Sequence, residues 1–113
     1  MCMWKKVEIE ELNRSVGGSG NPTNPSSLDF AISAQTQTKD VFLQLAYLVR
    51  AIVVDHAFED YNKRTAALVL ITTFEILKFA YDPYAVDSLV ERVARKKIKS
   101  VKTLRSMIRD VVR

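Results

Sequence analysis

The sequence predicts an all-α protein built as one domain, residues 1–113. Two long stretches, residues 41–54 and 65–80, are apolar on nearly every helical face and contain no turn signal, which is typical of buried helices. β-branched runs at 51–54 and 69–73 would also fit strands, but the surrounding stretches are longer than usual strands. A hydrophobic fraction of 48% in a chain of 113 residues allows one modest core. We therefore expect a compact helical bundle with two buried central helices.

The N-terminal region predicts a helix followed by a loop. A weak helical pattern covers residues 4–16, with apolar residues at Trp4, Val7, Leu12 and Val16. Residues 17–27 are rich in Gly, Pro and Ser, so we expect a flexible loop that can act as a flap over a site. The loop lacks the Gly-Lys-Ser/Thr ending of a Walker-type phosphate loop. Ser26 or Ser27 is a suitable cap for the short helix after it.

The C-terminal region predicts two basic helices, residues 83–113. Asp40 is a suitable cap for the first central helix, and Asp82 with Pro83 marks the start of the first basic helix. The net charge of the chain is +4, and its positive residues crowd the end: Arg92, Arg95, Lys96, Lys97, Lys99, Lys102, Arg105, Arg109 and Arg113. Such a face could meet nucleic acid or an acidic protein. We favour a solvated surface without direct nucleic-acid contact, because no aromatic residue is interleaved for base stacking.

Cysteine content and the N-terminal residues favour a cytoplasmic protein. Cys2 is the only cysteine, which excludes an internal disulfide and a cysteine-based zinc site and fits a reducing compartment. The acidic segment 7–11 follows Lys5 and Lys6, where a secretory signal would be apolar. Both long apolar stretches are interrupted by charged residues and fall short of the ~20 apolar residues of a membrane helix, so we expect no membrane partner.

The candidate chemistry lies in the loop between the two central helices, residues 55–64. Its many charged and amide side chains sit between the most apolar segments, an arrangement that lowers stability and is therefore typical of function. His56 is the sole histidine, and an ordinary histidine pKa of about 6.5 suits a general base. Asp60 offers a hard carboxylate ligand for a Mg²⁺ ion that bridges phosphates. Phe58 is the apolar exception, and we expect it to anchor the loop to the core.

The helix that begins near Asn62 predicts an anion site. Its first backbone N–H groups and the positive end of its dipole are available to a ligand. Lys63 and Arg64 lie in its first turn, where positive charge opposes the dipole unless an anion is bound, and Arg can bind phosphate oxygens bidentately. Taken alone, each residue also has a structural explanation: a lone His56 is compatible with a structural role, and Asp60 with a helix cap.

The ordered set of residues resembles a known family signature. His56-x-Phe58-x-Asp60-x-Asn62-Lys63-Arg64-Thr65-Ala66 is similar to the motif of the Fic/Doc family, in the Asn-Lys-Arg-Thr form of its Doc (death-on-curing) branch. The Gly-rich segment 17–20 followed by residues 27–32 resembles the Gly-rich loop and the Leu-Leu-Glu-Ser-Ala-Leu element of that family. The likeness covers most of the chain from Val16 to Ala80, and the loop is its most specific part.

This resemblance implies a Fic-type helical fold and a transferase that uses ATP and Mg²⁺. It implies that His56 deprotonates a Ser or Thr hydroxyl of a target protein and that Asp60 binds Mg²⁺. It assigns the nucleotide phosphates to residues at the start of the helix, namely Asn62, Lys63, Arg64 and Thr65. Most Fic proteins transfer AMP, whereas Doc proteins transfer the γ-phosphate of ATP. Lys63, and the absence of a second arginine at Ala67, favour the phosphate outcome.

The resemblance also implies a biological setting. Doc proteins are toxins that modify translation elongation factor Tu, and a partner antitoxin restrains them. The self-inhibitory motif of other Fic proteins, Ser/Thr-x-x-x-Glu-Gly/Asn, is absent here because no Glu is followed by Gly or Asn. We therefore expect a cognate antitoxin on another chain.

Tyr61 departs from the family pattern, which has Gly or Ala at this position. A small residue lets the backbone approach phosphate closely. Tyr61 either crowds the anion site, which would leave a catalytically degenerate binding module, or points outward to stack on a base or a target.

A different enzyme class fits another part of the sequence. Arg50 and His56 are spaced like the Arg-x(4–6)-His pair of HEPN ribonucleases, which are all-α toxins that need neither nucleotide nor metal. That pattern leaves residues 62–65 unexplained, so it ranks second.

Overall fold

Six α-helices surround one apolar core within residues 3–113, the part of the chain that the computed structural model describes. Their bounds are α1 Lys6–Ser15, α2 Pro25–Ala34, α3 Val41–Val49, α4 Asn62–Ile76, α5 Pro83–Lys96 and α6 Val101–Val111. A 3₁₀ turn, Gln35–Gln37, follows α2, and a π-helical turn, Arg50–Val54, continues α3. The predicted all-α fold is confirmed for these residues. Cys2 lies outside them.

The two central helices were predicted at nearly the right positions. Asp40 caps α3 as expected, since its carboxylate accepts hydrogen bonds from the N–H groups of Phe42 (3.0 Å) and Leu43 (3.3 Å). The β-branched runs at 51–54 and 69–73 are helical, so the strand alternative is wrong. α4 ends at Ile76, four residues before the predicted end, and Lys78 just beyond it has left-handed backbone.

Two N-terminal predictions need correction. α2 begins at Pro25, inside the predicted loop 17–27, because Asn24 and not Ser26 or Ser27 is its cap; Asn24 Oδ1 accepts from Ser27 N–H at 3.4 Å. In α1, Val7 is half exposed and Ile9 is fully buried, so the inward face is rotated from the predicted one. The helix has only ten residues and few of them are apolar, so the spacing of its apolar residues does not determine which face points inward.

The core is a single cluster contributed by all six helices and the π turn. α3 packs most extensively against α6, and α4 packs against α5 and α1. The radius of gyration is 12.4 Å, close to the ~13 Å expected of a folded chain of this length. No helix within residues 3–113 combines the length and apolar character that a bilayer crossing requires.

The C-terminal helices begin at caps that hold them in place. Asp82 accepts from Tyr84 N–H (2.9 Å) at the start of α5, as predicted, and Ser100 accepts from Thr103 N–H (3.2 Å) at the start of α6. Arg105 of α6 forms an ion pair with Asp40 at the start of α3. Asp40 therefore both caps one helix and ties it to another.

Asp40→Ala is expected to lower the free energy of unfolding by roughly 1–2 kcal/mol near neutral pH, because a helix cap and an ion pair are lost together. Burial acts to raise the pKa of Asp40, but hydrogen bonds from Arg105 and from backbone N–H groups outweigh it and hold the pKa below its ordinary value. A depressed folded pKa stabilises the protein above the unfolded pKa, about 3.9, and this stabilisation is lost as pH falls through the folded value.

Urea unfolding from pH 7 downward measures this effect. The difference between wild type and Asp40→Ala should be full at neutral pH and should shrink below about pH 4. Asp110→Ala is the matched control, since Asp110 is exposed on α6 and forms no ion pair within residues 3–113. A difference that is constant down to pH 3 would contradict the role of the charged carboxylate.

Candidate active site

The site loop, residues 55–61, connects the π turn to α4. Asp55 N–H donates to the carbonyl of Arg50 at 3.0 Å, five residues back, and ends the π turn. His56 (φ 51°) and Tyr61 (φ 63°) both have left-handed backbone, which costs about 1 kcal/mol or more for a residue with a side chain. π turns and strained backbone cluster at functional sites. The backbone geometry therefore indicates a functional site in this loop, independently of the sequence motif.

Phe58 and Asn62 fix the shape of the loop. The Phe58 ring is 1% exposed and belongs to the core. Its N–H donates to Asn62 Oδ1 (3.0 Å), and Asn62 Nδ2 donates back to the Phe58 carbonyl (2.8 Å). Since both ends of the Asn62 amide are used inside the loop, its side chain closes the loop, and only its backbone N–H remains for a ligand.

Asn13 of α1 links three segments of the site and was missed by the sequence analysis. Its Nδ2 donates to the Asp60 carbonyl (3.0 Å) and to Thr65 Oγ1 (3.1 Å), while its Oδ1 accepts from Gly20 N–H (2.9 Å). A Cβ atom at Gly18 would lie 2.1 Å from Asn13 Oδ1, so the 17–24 segment approaches Asn13 more closely than a larger residue allows. A polar residue on the inward side of α1 is the one signal that could have identified Asn13.

Asn13→Ala is expected to lower the free energy of unfolding by roughly 2–3 kcal/mol. The side chain is fully buried, and its loss leaves a buried N–H, a carbonyl and a hydroxyl with one partner fewer. Urea unfolding measures the change. Asn21→Ala is the control, because Asn21 is exposed in the same segment and should alter stability by less than about 0.5 kcal/mol. Equal effects of the two variants would contradict the linking role of Asn13.

The segment between α1 and α2 lies directly against the site loop. Thr23 N–H donates to the Ala57 carbonyl at 2.8 Å, and Asn24 Nδ2 donates to the Asp55 carbonyl at 3.0 Å. Ser27 Oγ donates to Asp55 Oδ2 at 2.5 Å. Because Asp55 is held from this side, its carboxylate faces α2, away from the residues that line the cleft described next.

Six of the site residues that the sequence singled out, all except Phe58 and Thr65, line one cleft of about 600 Å³. It is lined by Val53, His56, Glu59, Asp60, Tyr61, Asn62, Lys63, Arg64 and Ala94. The side chains of His56 and Asp60 are exposed to it, and neither forms a hydrogen bond or an ion pair with any residue between 3 and 113. Because both side chains are exposed to solvent and form no contact of these kinds within residues 3–113, both are accessible to a molecule bound in the cleft.

The N-terminus of α4 opens onto this cleft without a side-chain cap. Tyr61 stands at the cap position and its side chain makes no cap hydrogen bond, so the first N–H groups of this 15-residue helix have no hydrogen-bond partner among residues 3–113. Thr65, which was predicted among the phosphate-binding residues, does not line this cleft. It is fully buried, and its N–H and its hydroxyl both donate to the Tyr61 carbonyl.

Lys63 and Arg64 line the cleft but already have partners within the chain. Lys63 Nζ lies 3.0 Å from Glu91 Oε2 on α5, and both side chains are more than half exposed. The Arg64 guanidinium lies 5.5 Å from the centroid of the Tyr61 ring. Both residues also line a neighbouring groove of about 480 Å³ between α4 and α5. Glu91, which the sequence analysis did not identify, therefore offsets part of the unfavourable charge in the first turn of α4.

Tyr61 lies at the edge of the cleft. Its side chain is 43% exposed, and a Cβ atom at Gly17 would lie 3.1 Å from its Cζ atom. The ring is thus held between the Gly17 backbone and the Arg64 guanidinium.

Arg50 and His56 do not share a cleft. The Arg50 guanidinium stacks on the rings of Tyr47 (5.3 Å to the centroid) and Phe30 (5.9 Å), and it donates to the Lys99 carbonyl at 3.5 Å. It lines a separate cavity of about 250 Å³ together with Ser27 and Asp55. The two residues of the ribonuclease pattern therefore line different cavities.

Carboxylates and histidines are not clustered as in a preformed metal site. No group of three or more His, Cys, Asp or Glu side chains in the described part of the chain is arranged to hold an ion. Mg²⁺ at a nucleotide site usually needs one or two carboxylates and takes its other ligands from phosphates and water, a demand that Asp60 fits.

Compared with known proteins, the sequence matches no family model and no curated protein.

Proposed function

We propose that this chain transfers a phosphoryl group, or an AMP group, from ATP to a Ser or Thr hydroxyl of another protein. The observation that supports this proposal best is the uncapped N-terminus of α4, which opens onto the cleft that His56, Asp60 and Arg64 line. On this proposal the helix end would bind a phosphate, His56 would act as the general base and Asp60 would offer a carboxylate to Mg²⁺, and all three lie around a single cleft.

The helix end supplies the electrostatic part of the reaction. Free N–H groups at Asn62, Lys63 and Arg64 and the positive end of the α4 dipole favour a phosphate group. The Arg64 side chain can turn from the Tyr61 ring toward phosphate oxygens, because a guanidinium gains more from a bidentate charged contact than from an exposed ring. Preorganised donors of this kind account for most of phosphoryl-transfer catalysis.

His56 supplies the acid–base part. In the proposed step the target hydroxyl oxygen attacks the γ-phosphorus of ATP while His56 takes the hydroxyl proton. The bond between the γ-phosphorus and the bridging oxygen breaks, and ADP leaves with that electron pair. For AMP transfer the same oxygen attacks the α-phosphorus, and pyrophosphate leaves. Asp60 would hold Mg²⁺, which neutralises charge on the phosphate oxygens.

We further propose a Fic-type arrangement of the helices and a Doc-like biological role. The support is the ordered motif from His56 to Ala66 together with the helical loop-to-helix geometry in which it lies. On this proposal the protein is a cytoplasmic toxin, its target is a translation elongation factor, and a cognate antitoxin restrains it. The separate cavities of Arg50 and His56 give the ribonuclease alternative no support.

Intact mass spectrometry tests the proposed reaction. A purified cytoplasmic elongation factor is incubated with this protein, ATP and Mg²⁺, with His56→Ala in parallel. A mass increase that depends on His56 is expected, and its size separates a phosphoryl group from AMP. An increase of equal size with His56→Ala would overturn the assignment of the base.

Tyr61→Gly is expected to raise the transfer rate by about tenfold. Gly adopts the left-handed backbone of this position without strain, lets a phosphate approach the helix end and releases Arg64 from the ring. Transfer rates at fixed ATP concentration measure the effect. Tyr61→Phe is the matched control and should keep the wild-type rate, since the ring stays in place. A fall in rate for Tyr61→Gly would instead assign the ring to a substrate contact.

A further inference from the structure

The C-terminal helices present a positive surface that the proposed reaction does not use. Nine of the 17 Lys and Arg residues of the chain lie between Arg92 and Arg113, against one of its 13 acidic residues, Asp110. Two of the nine are paired, Arg105 with Asp40 and Arg113 with Asp82. The others are exposed and form no ion pair within residues 3–113; these form the basic face, Arg92, Arg95, Lys96, Lys97, Lys99, Lys102 and Arg109.

α6 has one buried apolar side and one exposed side that carries polar and basic residues. Leu104 and Ile108 are fully buried, so the helix is anchored along one side. Lys102, Ser106 and Arg109 are exposed and are spaced four and three residues apart, which places them on one side of the helix. Their side chains are hydrogen-bond donors of the kind that contact phosphates and base edges. The exposed Thr103 and Asp110 lie beside them along one edge of this side.

A solvated surface without nucleic-acid contact was expected here because aromatic residues are lacking, but the charge of this face exceeds what helix stability explains. Arg95, Lys96 and Lys97 lie at the C-terminal end of α5, where positive charge complements the helix dipole. Lys102 lies in the first turn of α6, where positive charge opposes the dipole. Seven unpaired cations on two helices and one short turn also repel one another. A polyanionic partner would remove both penalties.

The composition of the face distinguishes between polyanions. Within the described chain, none of the exposed large hydrophobic side chains lies between residues 85 and 113, whereas protein interfaces have apolar and aromatic residues at their centre. No aromatic residue lies in that range either, so base stacking on single strands is not favoured. The major groove of B-form DNA admits an α-helix, but the deep and narrow groove of duplex RNA does not.

We propose that the basic face binds double-stranded DNA, with the exposed side of α6 in the major groove. Lys102, Ser106 and Arg109 would face the groove. The end of α5 and the turn at residues 97–100 immediately precede α6, so their cations would contact the phosphate backbone beside the groove. This activity is separate from group transfer, because no residue of the basic face lines the His56 cleft.

Fluorescence anisotropy with a labelled 20-base-pair DNA duplex of mixed sequence tests the proposal. The affinity of the wild type should fall steeply with salt, with a log–log slope of about −4 or steeper, at about 0.9 per phosphate contact. Lys102→Ala/Arg109→Ala should weaken binding about tenfold or more and reduce the slope by about 2. Lys5→Ala/Lys6→Ala at the start of α1, where Lys6 pairs with Asp29, removes the same number of positive charges and should change the affinity by less than about threefold. His56→Ala should bind DNA as the wild type does.

Several outcomes would overturn the proposal. One is no binding to the DNA duplex at low salt, and another is an equal loss in the α1 and α6 variants. Equal affinity for duplex RNA of the same length would exclude the groove placement of α6. Poly-glutamate that displaces the DNA at equal charge concentration would assign the face to an acidic protein. Circular dichroism of each variant separates loss of contacts from loss of fold.

Discussion

Replacing His56 with Ala is expected to lower the rate of group transfer by about 10²- to 10⁴-fold, the range that a positioned general base contributes. His56 is exposed at the cleft and its imidazole makes no hydrogen bond within residues 3–113, so its removal should leave packing intact. The loop is held instead by Phe58, Asn62 and Asn13. Loss of activity without loss of stability would thus report on chemistry.

Because His56 has left-handed backbone, a second variant is needed to separate loss of the imidazole from a change in backbone conformation. Its φ of 51° is tolerated better by Asn than by Ala, so His56→Asn removes the base while preserving the loop. Both variants should lose activity to a similar extent, and both should unfold within about 1 kcal/mol of the wild type. Activity retained by His56→Asn but lost by His56→Ala would assign the effect to the backbone conformation, and the general-base role would fall.

The parts of the fold that are specified locally were predictable from the sequence. Asp40 and Asp82 cap the helices that they were expected to cap, because a cap depends on residues two or three positions away. The start of α4 at Asn62 likewise follows from the change between polar loop and apolar helix. Long apolar runs identified the central helices although their β-branched residues also fit strands, because run length decided between the two.

The parts that depend on distant residues were not predictable. Asn13 contacts Asp60 and Thr65 about fifty positions away, and Lys63 pairs with Glu91 on another helix. A motif gives the order of residues in a loop but not which side chains turn inward, and for this reason it does not indicate that Thr65 is buried.

Asp60→Asn is expected to lower the transfer rate by about 10²-fold and to make it depend on higher Mg²⁺ concentrations. The carboxylate is exposed to the cleft and has no protein partner within residues 3–113, so it is accessible to a cation. The structural hydrogen bond of this residue involves its backbone carbonyl, which accepts from Asn13 and is unchanged in the variant. The loss should therefore concern Mg²⁺ binding and not the loop.

Measuring the initial rate as a function of Mg²⁺ concentration tests whether Asp60 binds the ion directly or only adds negative charge near it. For Asp60→Asn the half-saturating Mg²⁺ concentration should rise by about tenfold or more, and excess Mg²⁺ should recover part of the rate. Glu59→Gln removes the same charge from the adjacent exposed residue of the same loop, and it should shift the titration by less than about threefold, as screening of exposed charges dictates. Equal shifts for both variants would mean that the cleft attracts Mg²⁺ through its general field, and the assignment of Asp60 as a ligand would be lost. Since neither substitution alters the helix end, the affinity for ATP without Mg²⁺ should be retained in both, which isolates the contribution of the carboxylate from that of the α4 N-terminus.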